Sequence, residues 1–181
     1  MKTIIGIAGS LRREAYSKKL LQAFADRVPK EYKFQILDIS QLPLYNEDLI
    51  ENLPPAVAEL KEAIESSCGV LFVTPEYNRS FTPAMKNAID WGSRPSGSNS
   101  WPGKPAAVAG STTGRLGALA AVMQLRQVLV NPGMVPLQQP EFYLTQAADK
   151  FDEHGKLTDE ETAAQIDKFW VAFAAHIARF S

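Results

Sequence analysis

The segment Gly9-Ser10-Leu11-Arg12-Arg13-Glu14-Ala15-Tyr16-Ser17-Lys18-Lys19 gathers two serine hydroxyls and four cations into one short stretch. If a helix starts near Ser17, its first backbone N–H groups and its dipole attract an anion. Those are the partners a phosphate needs, and Arg12 adds a planar fork that grips two oxygens at once. Taken alone, the loop reads equally well as a solvated basic turn capped by Ser17. The segment is neither G-x-G-x-x-G nor a Walker A loop. Gly103-Lys104 is followed by Pro105, which excludes a P-loop there.

Pro75-Glu76-Tyr77-Asn78-Arg79-Ser80-Phe81-Thr82-Pro83 suits a different ligand. Tyr77 offers an aromatic face, and the backbone from Glu76 to Asn78 offers donors and acceptors to the edge of a planar heterocycle. The plainer alternative is a turn that ends with Thr82 as N-cap and Pro83 as first helical residue. Gly110-Ser111-Thr112-Thr113-Gly114-Arg115-Leu116-Gly117 completes the set. Small residues let backbone approach a flat ring, and the hydroxyls reach carbonyl oxygens. A glycine-rich entry to a helix is the competing reading.

These loops need elements to hold them. Four apolar runs, Ile4 to Ala8, Phe34 to Ile39, Val70 to Thr74 and Ala106 to Gly110, are mostly continuous rather than alternating. That pattern fits strands buried on both faces of a parallel sheet. A fifth strand belongs within Met134 to Tyr143, where Pro136 and Pro140 place it at an edge or split it. Helical spacing appears between the runs: Leu20, Leu21, Phe24 and Val28; Val57, Leu60 and Ile64; Leu119, Val122, Met123 and Val130; and Ile166, Phe169, Trp170, Phe173, Ile177 and Phe180. Thr158-Asp159-Glu160-Glu161 supplies a cap and an acidic first turn for the last helix. Strands alternating with helices give a flavodoxin-like three-layer α/β/α fold with a five-stranded parallel sheet in the order 2-1-3-4-5. Ser93 to Gly103 reads as a polar surface loop, and residues 1–181 as one domain. In such sheets ligands bind beyond the carboxyl ends of the strands, where all three loops fall.

The totals narrow the classes. The 181 residues are 45% apolar, with 19 basic and 20 acidic side chains and a net charge of −1. That balance provides no general attraction to nucleic acid or to an anionic membrane, so any anion site is local. The single cysteine, Cys68, excludes an internal disulfide and reads as a buried structural thiol. His154 and His176 have no Cys or His beside them, which argues against zinc. The apolar start is short and is followed at once by Arg12, Arg13 and Glu14, so it reads as a strand and not a signal peptide, and the cytoplasm is the expected location.

Gly9-Ser10-Leu11-Arg12 after the first strand, Pro75-Glu76-Tyr77-Asn78 after the third, and the following Pro83-Ala84-Met85-Lys86-Asn87-Ala88-Ile89-Asp90-Trp91 resemble the NADPH-dependent FMN reductase family. Bacterial members of that family include chromate, quinone and azo-dye reductases. The likeness runs in order along nearly the whole chain. It implies FMN as cofactor, NADPH or NADH as co-substrate, and a small-molecule electron acceptor such as a quinone, an azo compound, chromate or free flavin. It implies that Ser10, Arg12 and Ser17, with Lys18 and Lys19 beside them, hold the FMN phosphate. Pro75, Glu76, Tyr77 and Asn78 would border the isoalloxazine, and Ser111, Thr112, Thr113 and Gly114 its pyrimidine side. The chemistry would sit on FMN, with no catalytic side chain. The family commonly has Asn where this chain has Lys19. Its members form dimers or tetramers, so a homodimer or homotetramer is expected, with Arg126 and Glu141 as candidate joining residues. Arg115 is either a guide for the nicotinamide cofactor's phosphates or a solvated cation.

Three rivals share parts of this pattern. A non-enzymatic FMN electron carrier of flavodoxin type would have the same fold, but such carriers are strongly acidic and this chain is nearly neutral. A phosphorelay receiver needs acidic residues after strand one and an aspartate after strand three; Gly9-Ser10 and Thr74-Pro75 stand there. A serine hydrolase needs a G-x-S-x-G elbow, which is absent.

Overall fold

Strands β3 (Gly69–Thr74) and β4 (Pro105–Ser111) are buried at every residue. Continuous apolar runs of this length leave no face for water, so they must lie in the middle of a covered sheet. The computed structural model describes residues 1–180 and places them there. β1 (Lys2–Ala8) pairs in parallel with both β3 and β2 (Tyr32–Leu37), so Ile7 faces Phe72 on one side and Leu37 on the other. β2 is the outer strand and alternates between covered and exposed residues. The path runs β2-β1-β3-β4-β5, with β5 at Val135–Pro136, in the order the sequence predicts, and a sixth strand also pairs with β4.

Five helices cover the sheet: α1 (Tyr16–Asp26), α2 (Pro55–Ser66), α3 (Pro83–Gly92), α4 (Leu119–Val130) and α5 (Glu160–Ala178). Successive strand residues point to opposite faces. Ile4 therefore joins Leu20, Leu21 and Phe24 of α1 and Phe169, Trp170, Phe173 and Ile177 of α5. Ile5 and Ile7 join Val57 and Ile64 of α2, Met85 and Ile89 of α3, and Val122, Leu125 and Leu129 of α4 on the other face. Each of these side chains contributes ~1.5–3 kcal/mol by leaving water.

One choice that the sequence left open is resolved, and two details differ from expectation. The fifth strand is split into β5 (Val135–Pro136) and β6 (Phe142–Leu144), both paired in parallel with β4. Pro136 and Pro140 have no N–H for a ladder, so one long strand cannot form. On α4 only Val122 of the four expected residues is buried. Ala121, Leu125 and Leu129 join it, while Leu119, Met123 and Val130 are exposed. Apolar residues lie on both the buried and the exposed sides of that helix, so its spacing does not single out one face. The loop from Ser93 to Gly103 is exposed only in part. Ser100 and Trp101 are buried, and the ammonium of buried Lys61 donates to the Ser98 carbonyl and to Ser100 Oγ.

Candidate functional site

The three loops emerge at the same end of the sheet, from β1, β3 and β4, which lie side by side. Strand order reverses between β1 and β3, the position where a doubly wound sheet opens a crevice for ligands. The first loop is tied to the third strand and its loop. Gly9 N donates to Val73 O at 2.8 Å, and Thr82 Oγ1 donates to Gly9 O. Thr82 also caps α3, accepting from Met85 N at 3.2 Å, with Pro83 at the first helical position as expected. A Cβ at Gly9 would lie 3.0 Å from the Thr82 hydroxyl, so the close approach uses the glycine.

In the first loop, Ser10 is buried. Its Oγ accepts from Arg12 N at 3.3 Å and lies 3.2 Å from the Tyr77 hydroxyl. Helix α1 starts at Tyr16 with Ala15 as N-cap, and no side chain caps it. Its first N–H groups therefore lack side-chain acceptors, and the positive end of its dipole is uncompensated. Ser17 is 1% exposed and its hydroxyl has no hydrogen-bond partner among the described residues. A solvated turn capped by Ser17 is thus not what the loop forms. Arg12 is exposed, and Lys18 Nζ donates to Leu11 O at 3.4 Å. Lys19 has other neighbours. Its ammonium is 4.0 Å from the Glu14 carboxylate and 5.4 Å from the Tyr16 ring centre.

The loop after β3 closes as a two-residue hairpin. Tyr77 N donates to Ser80 O at 2.9 Å and Ser80 N to Tyr77 O at 3.0 Å. Asn78 and Arg79 between them have φ of 50° and 67°. Two positive φ angles match a type I′ turn, which glycine and asparagine suit and arginine does not. Such backbone costs ~1–3 kcal/mol and persists where its surroundings impose it. Here α4 imposes it. Gln124 Nε2 donates to Arg79 O at 2.7 Å, and Ser80 Oγ donates to Gln124 Oε1 at 2.8 Å. The backbone of Tyr77 is thus spent on the turn, contrary to the free donors the sequence implied, while its ring stays 48% exposed.

Glu76 has a role that sequence reading missed. Its Oε2 accepts from Ala120 N at 3.0 Å and from Ala121 N at 3.3 Å. It caps α4 from another loop, because the local N-cap is Ala118, held at φ 66° with no side chain to offer. The one sequence signal was that missing cap: Ala118 stands where Ser, Thr, Asp or Asn would serve. Arg79 approaches the other oxygen of Glu76 at 3.6 Å.

The loop after β4 is held by the segment that follows β6. Thr112 N donates to Leu144 O, Ala147 N to Thr112 O and Gln146 N to Gly114 O, each at 3.0 Å. A Cβ at Gly110 would come within 2.3 Å of Gly117 O, so glycine lets the loop fold back onto its own strand. Ser111, the last residue of β4, is 1% exposed, and its hydroxyl also has no partner among the described residues. Thr113, Gly114 and Arg115 are exposed.

An unpaired buried hydroxyl costs ~1–3 kcal/mol. Ser17 and Ser111 are the two such side chains among the described residues, one in the first turn of α1 and one at the end of β4, both at the ligand end of the sheet. Together with an uncapped helix start, exposed Arg12 and the open Tyr77 ring, they fit a phosphorylated, planar, hydrogen-bonding cofactor. Larger grooves of about 550 and 580 Å³ lie between β2 and α2 and at the amino ends of the strands, away from these loops. Among the described residues no group of His, Cys, Asp and Glu is placed to hold a metal, and no helix is long and apolar enough to cross a membrane. His176 Nε2 lies 2.8 Å from Val135 O, a structural contact. Cys68 is half-buried, and burial pushes its thiol pKa up.

A parallel sheet in this order, with these three loops at its switch point, defines a flavodoxin-like flavin-binding protein. The chain belongs to the NADPH-dependent FMN reductase family, whose profile matches residues 2–149. It is 44% identical over 171 residues to a quinone reductase of Pseudomonas putida, covering 91% of this chain and 92% of that one. It is 37% identical over 171 residues to a 2-hydroxy-1,4-benzoquinone reductase of a Burkholderia species, covering 94% and 93%. Among solved structures, the flavoenzyme NAD(P)H:(acceptor) oxidoreductase FerB of Paracoccus denitrificans superposes with a TM-score of 0.93 at 41% identity, over 99% of each chain.

Proposed function

We propose that this chain is an FMN-dependent oxidoreductase that passes hydride equivalents from NADPH or NADH to small-molecule acceptors. Quinones are the leading acceptor class, with azo compounds, chromate and free flavin behind them. The observation that carries the reading is the pair of buried hydroxyls without a partner among the described residues, Ser17 in the first turn of α1 and Ser111 at the end of β4. When bound, FMN supplies the ring that accepts and returns hydride.

The chain's own part is binding and electrostatics. Ser10, Ser17, Arg12 and Lys18 hold the phosphate with the start of α1, and Lys19 adds positive charge from the first turn. Pro75, Glu76, Tyr77 and Asn78 border the ring on one side, and Ser111, Thr112, Thr113 and Gly114 take its pyrimidine edge. No side chain acts as acid or base. Residues 1–181 form one FMN-binding domain that works in the cytoplasm. The exposed apolar side chains Leu116, Leu119, Met123 and Val130, on and just before α4, support a homodimer or homotetramer. Arg126 and Glu141 pair with each other at 2.9 Å within one chain.

The test is direct. The purified protein should be yellow, with a flavin spectrum that NADPH or NADH bleaches at once in a stopped-flow mix. Bound flavin that neither reductant bleaches would instead mark a flavodoxin-type carrier. Arg12→Ala should release FMN more readily, and unchanged FMN affinity would sink the phosphate assignment.

A further inference from the structure

A groove of about 240 Å³ lies beside the first loop, where α1 meets the carboxyl end of edge strand β2. β2 is on the opposite side of β1 from β3, so this groove and the ring site flank the phosphate loop. Leu11, Leu21 and Ile36 line it with Ser10, Lys18 and Asp38. Leu11 and Ile36 are 50% and 43% exposed, two large apolar side chains left open to water beside a cavity. The volume is below the ~300–1,000 Å³ of drug-sized sites, so it takes one nucleotide-sized fragment and not a whole dinucleotide.

Asp38 is the first residue after β2 and is held in place. Its Oδ1 accepts from Ser40 N and its Oδ2 from Ser40 Oγ, both at 2.9 Å. These bonds keep the carboxyl ionised below its ordinary range, with Lys18 adding to the effect. An ionised carboxylate has about four acceptor positions, so about two stay free for a ligand. In dinucleotide-binding doubly wound sheets, an acid at this place accepts from the ribose hydroxyls while the diphosphate lies on the first loop.

We infer that this groove is a subsite for an adenosine 5′-phosphate group with a free 2′-hydroxyl. The base lies against Leu11 and Ile36, the ribose hydroxyls donate to Asp38, and the phosphate meets Lys18. The inference rests on the reading of Gly9 to Lys19 as the phosphate loop. A 2′-phosphate would face the Asp38 carboxylate and be repelled. The group can arrive as the adenylate half of FAD, whose flavin takes the ring site, or of NADH; NADPH cannot place its adenosine here.

Calorimetric titration of the purified protein with AMP and with 2′,5′-ADP tests this. AMP should bind at least about tenfold more tightly than 2′,5′-ADP, a difference of about 1.4 kcal/mol. Asp38→Asn should remove most of that preference. Ile36→Glu should weaken AMP about tenfold while leaving FMN affinity and melting temperature unchanged. FAD that binds flavin-stripped protein more tightly than FMN, with the advantage lost in Ile36→Glu, identifies FAD as the source. A raised KM for NADH alone in the same variant identifies NADH. Absence of AMP binding, or AMP affinity that neither substitution alters, overturns the subsite. Failure of FMN to bind while AMP binds as described overturns the flavin reading and leaves the subsite standing.

Discussion

Ser17 and Ser111 carry hydroxyls that the fold itself does not use. Replacing either with Ala removes an unpaired polar atom from a buried place, which is neutral or favourable for folding. The flavin-free variants should therefore melt at the same temperature as the parent or higher. The FMN dissociation constant should rise about tenfold or more for Ser17→Ala, since a hydrogen bond to a charged phosphate contributes ~1.5–3 kcal/mol, and less for Ser111→Ala, whose partner is a neutral ring edge worth ~0.5–1.5 kcal/mol. Melting curves and fluorescence titration read the two effects separately. A drop of several degrees with unchanged FMN affinity would assign the hydroxyls to the fold.

At the scale of elements, helix ends are the points of control. α4 begins without a cap of its own and borrows the Glu76 carboxylate, while its Gln124 pins the Asn78-Arg79 turn. Glu76→Ala should lower stability by about 1 kcal/mol, the usual effect of losing an N-cap, and should also loosen both ring loops. The expected result is a lower melting temperature together with weaker FMN retention. Glu76→Gln keeps an acceptor and should recover most of the retention; if it behaves like Ala, the carboxylate's charge is the essential part. α5 depends on its own cap. Asp159 accepts from Thr162 N at 2.8 Å and from Lys150 Nζ at 2.7 Å, which pulls its pKa down to about 2. Its folded pKa lies below the unfolded value of 3.8, so its contribution is complete above 3.8 and is lost as pH falls through about 2. Asp159→Asn retains a capping oxygen but does not titrate. Thermal melts between pH 5 and 2 should show a shallower loss of stability in that variant than in the parent; parallel curves would remove Asp159 from the acid response.

For the whole molecule, the unclaimed surface is the row on α4. Leu119, Met123 and Val130 are exposed on one side of the helix, while Ala121, Val122, Leu125 and Leu129 are buried. In the proposed homodimer or homotetramer, a second copy of the chain covers it. Met123→Glu should shift the protein to a smaller species in sedimentation velocity without unfolding it. Unchanged sedimentation would place the interface elsewhere.

Much of this protein was decided by its sequence alone. Continuous apolar runs can be stable only as covered strands, and helical spacing between them forces crossovers. The parallel sheet and the shared end of the three loops follow from that, whereas alternation alone does not choose the order 2-1-3-4-5 over another doubly wound one. The sequence marked Ser10, Ser17 and Tyr77 as candidates because hydroxyl, cation and aromatic residues cluster just past those strands, and the structure brings the Ser10 and Tyr77 hydroxyls to 3.2 Å. Tertiary structure alone decided the rest. No local pattern shows that Glu76 caps a helix 44 residues away in the chain, that Gln124 imposes two left-handed residues, or that Ser17 and Ser111 have no partner. Hydrogen bonding among loops depends on distances that exist only once the helices have docked. The exposed face of α4 has the same cause: a helix with apolar residues on more than one side acquires an inside and an outside only when the sheet takes one of them.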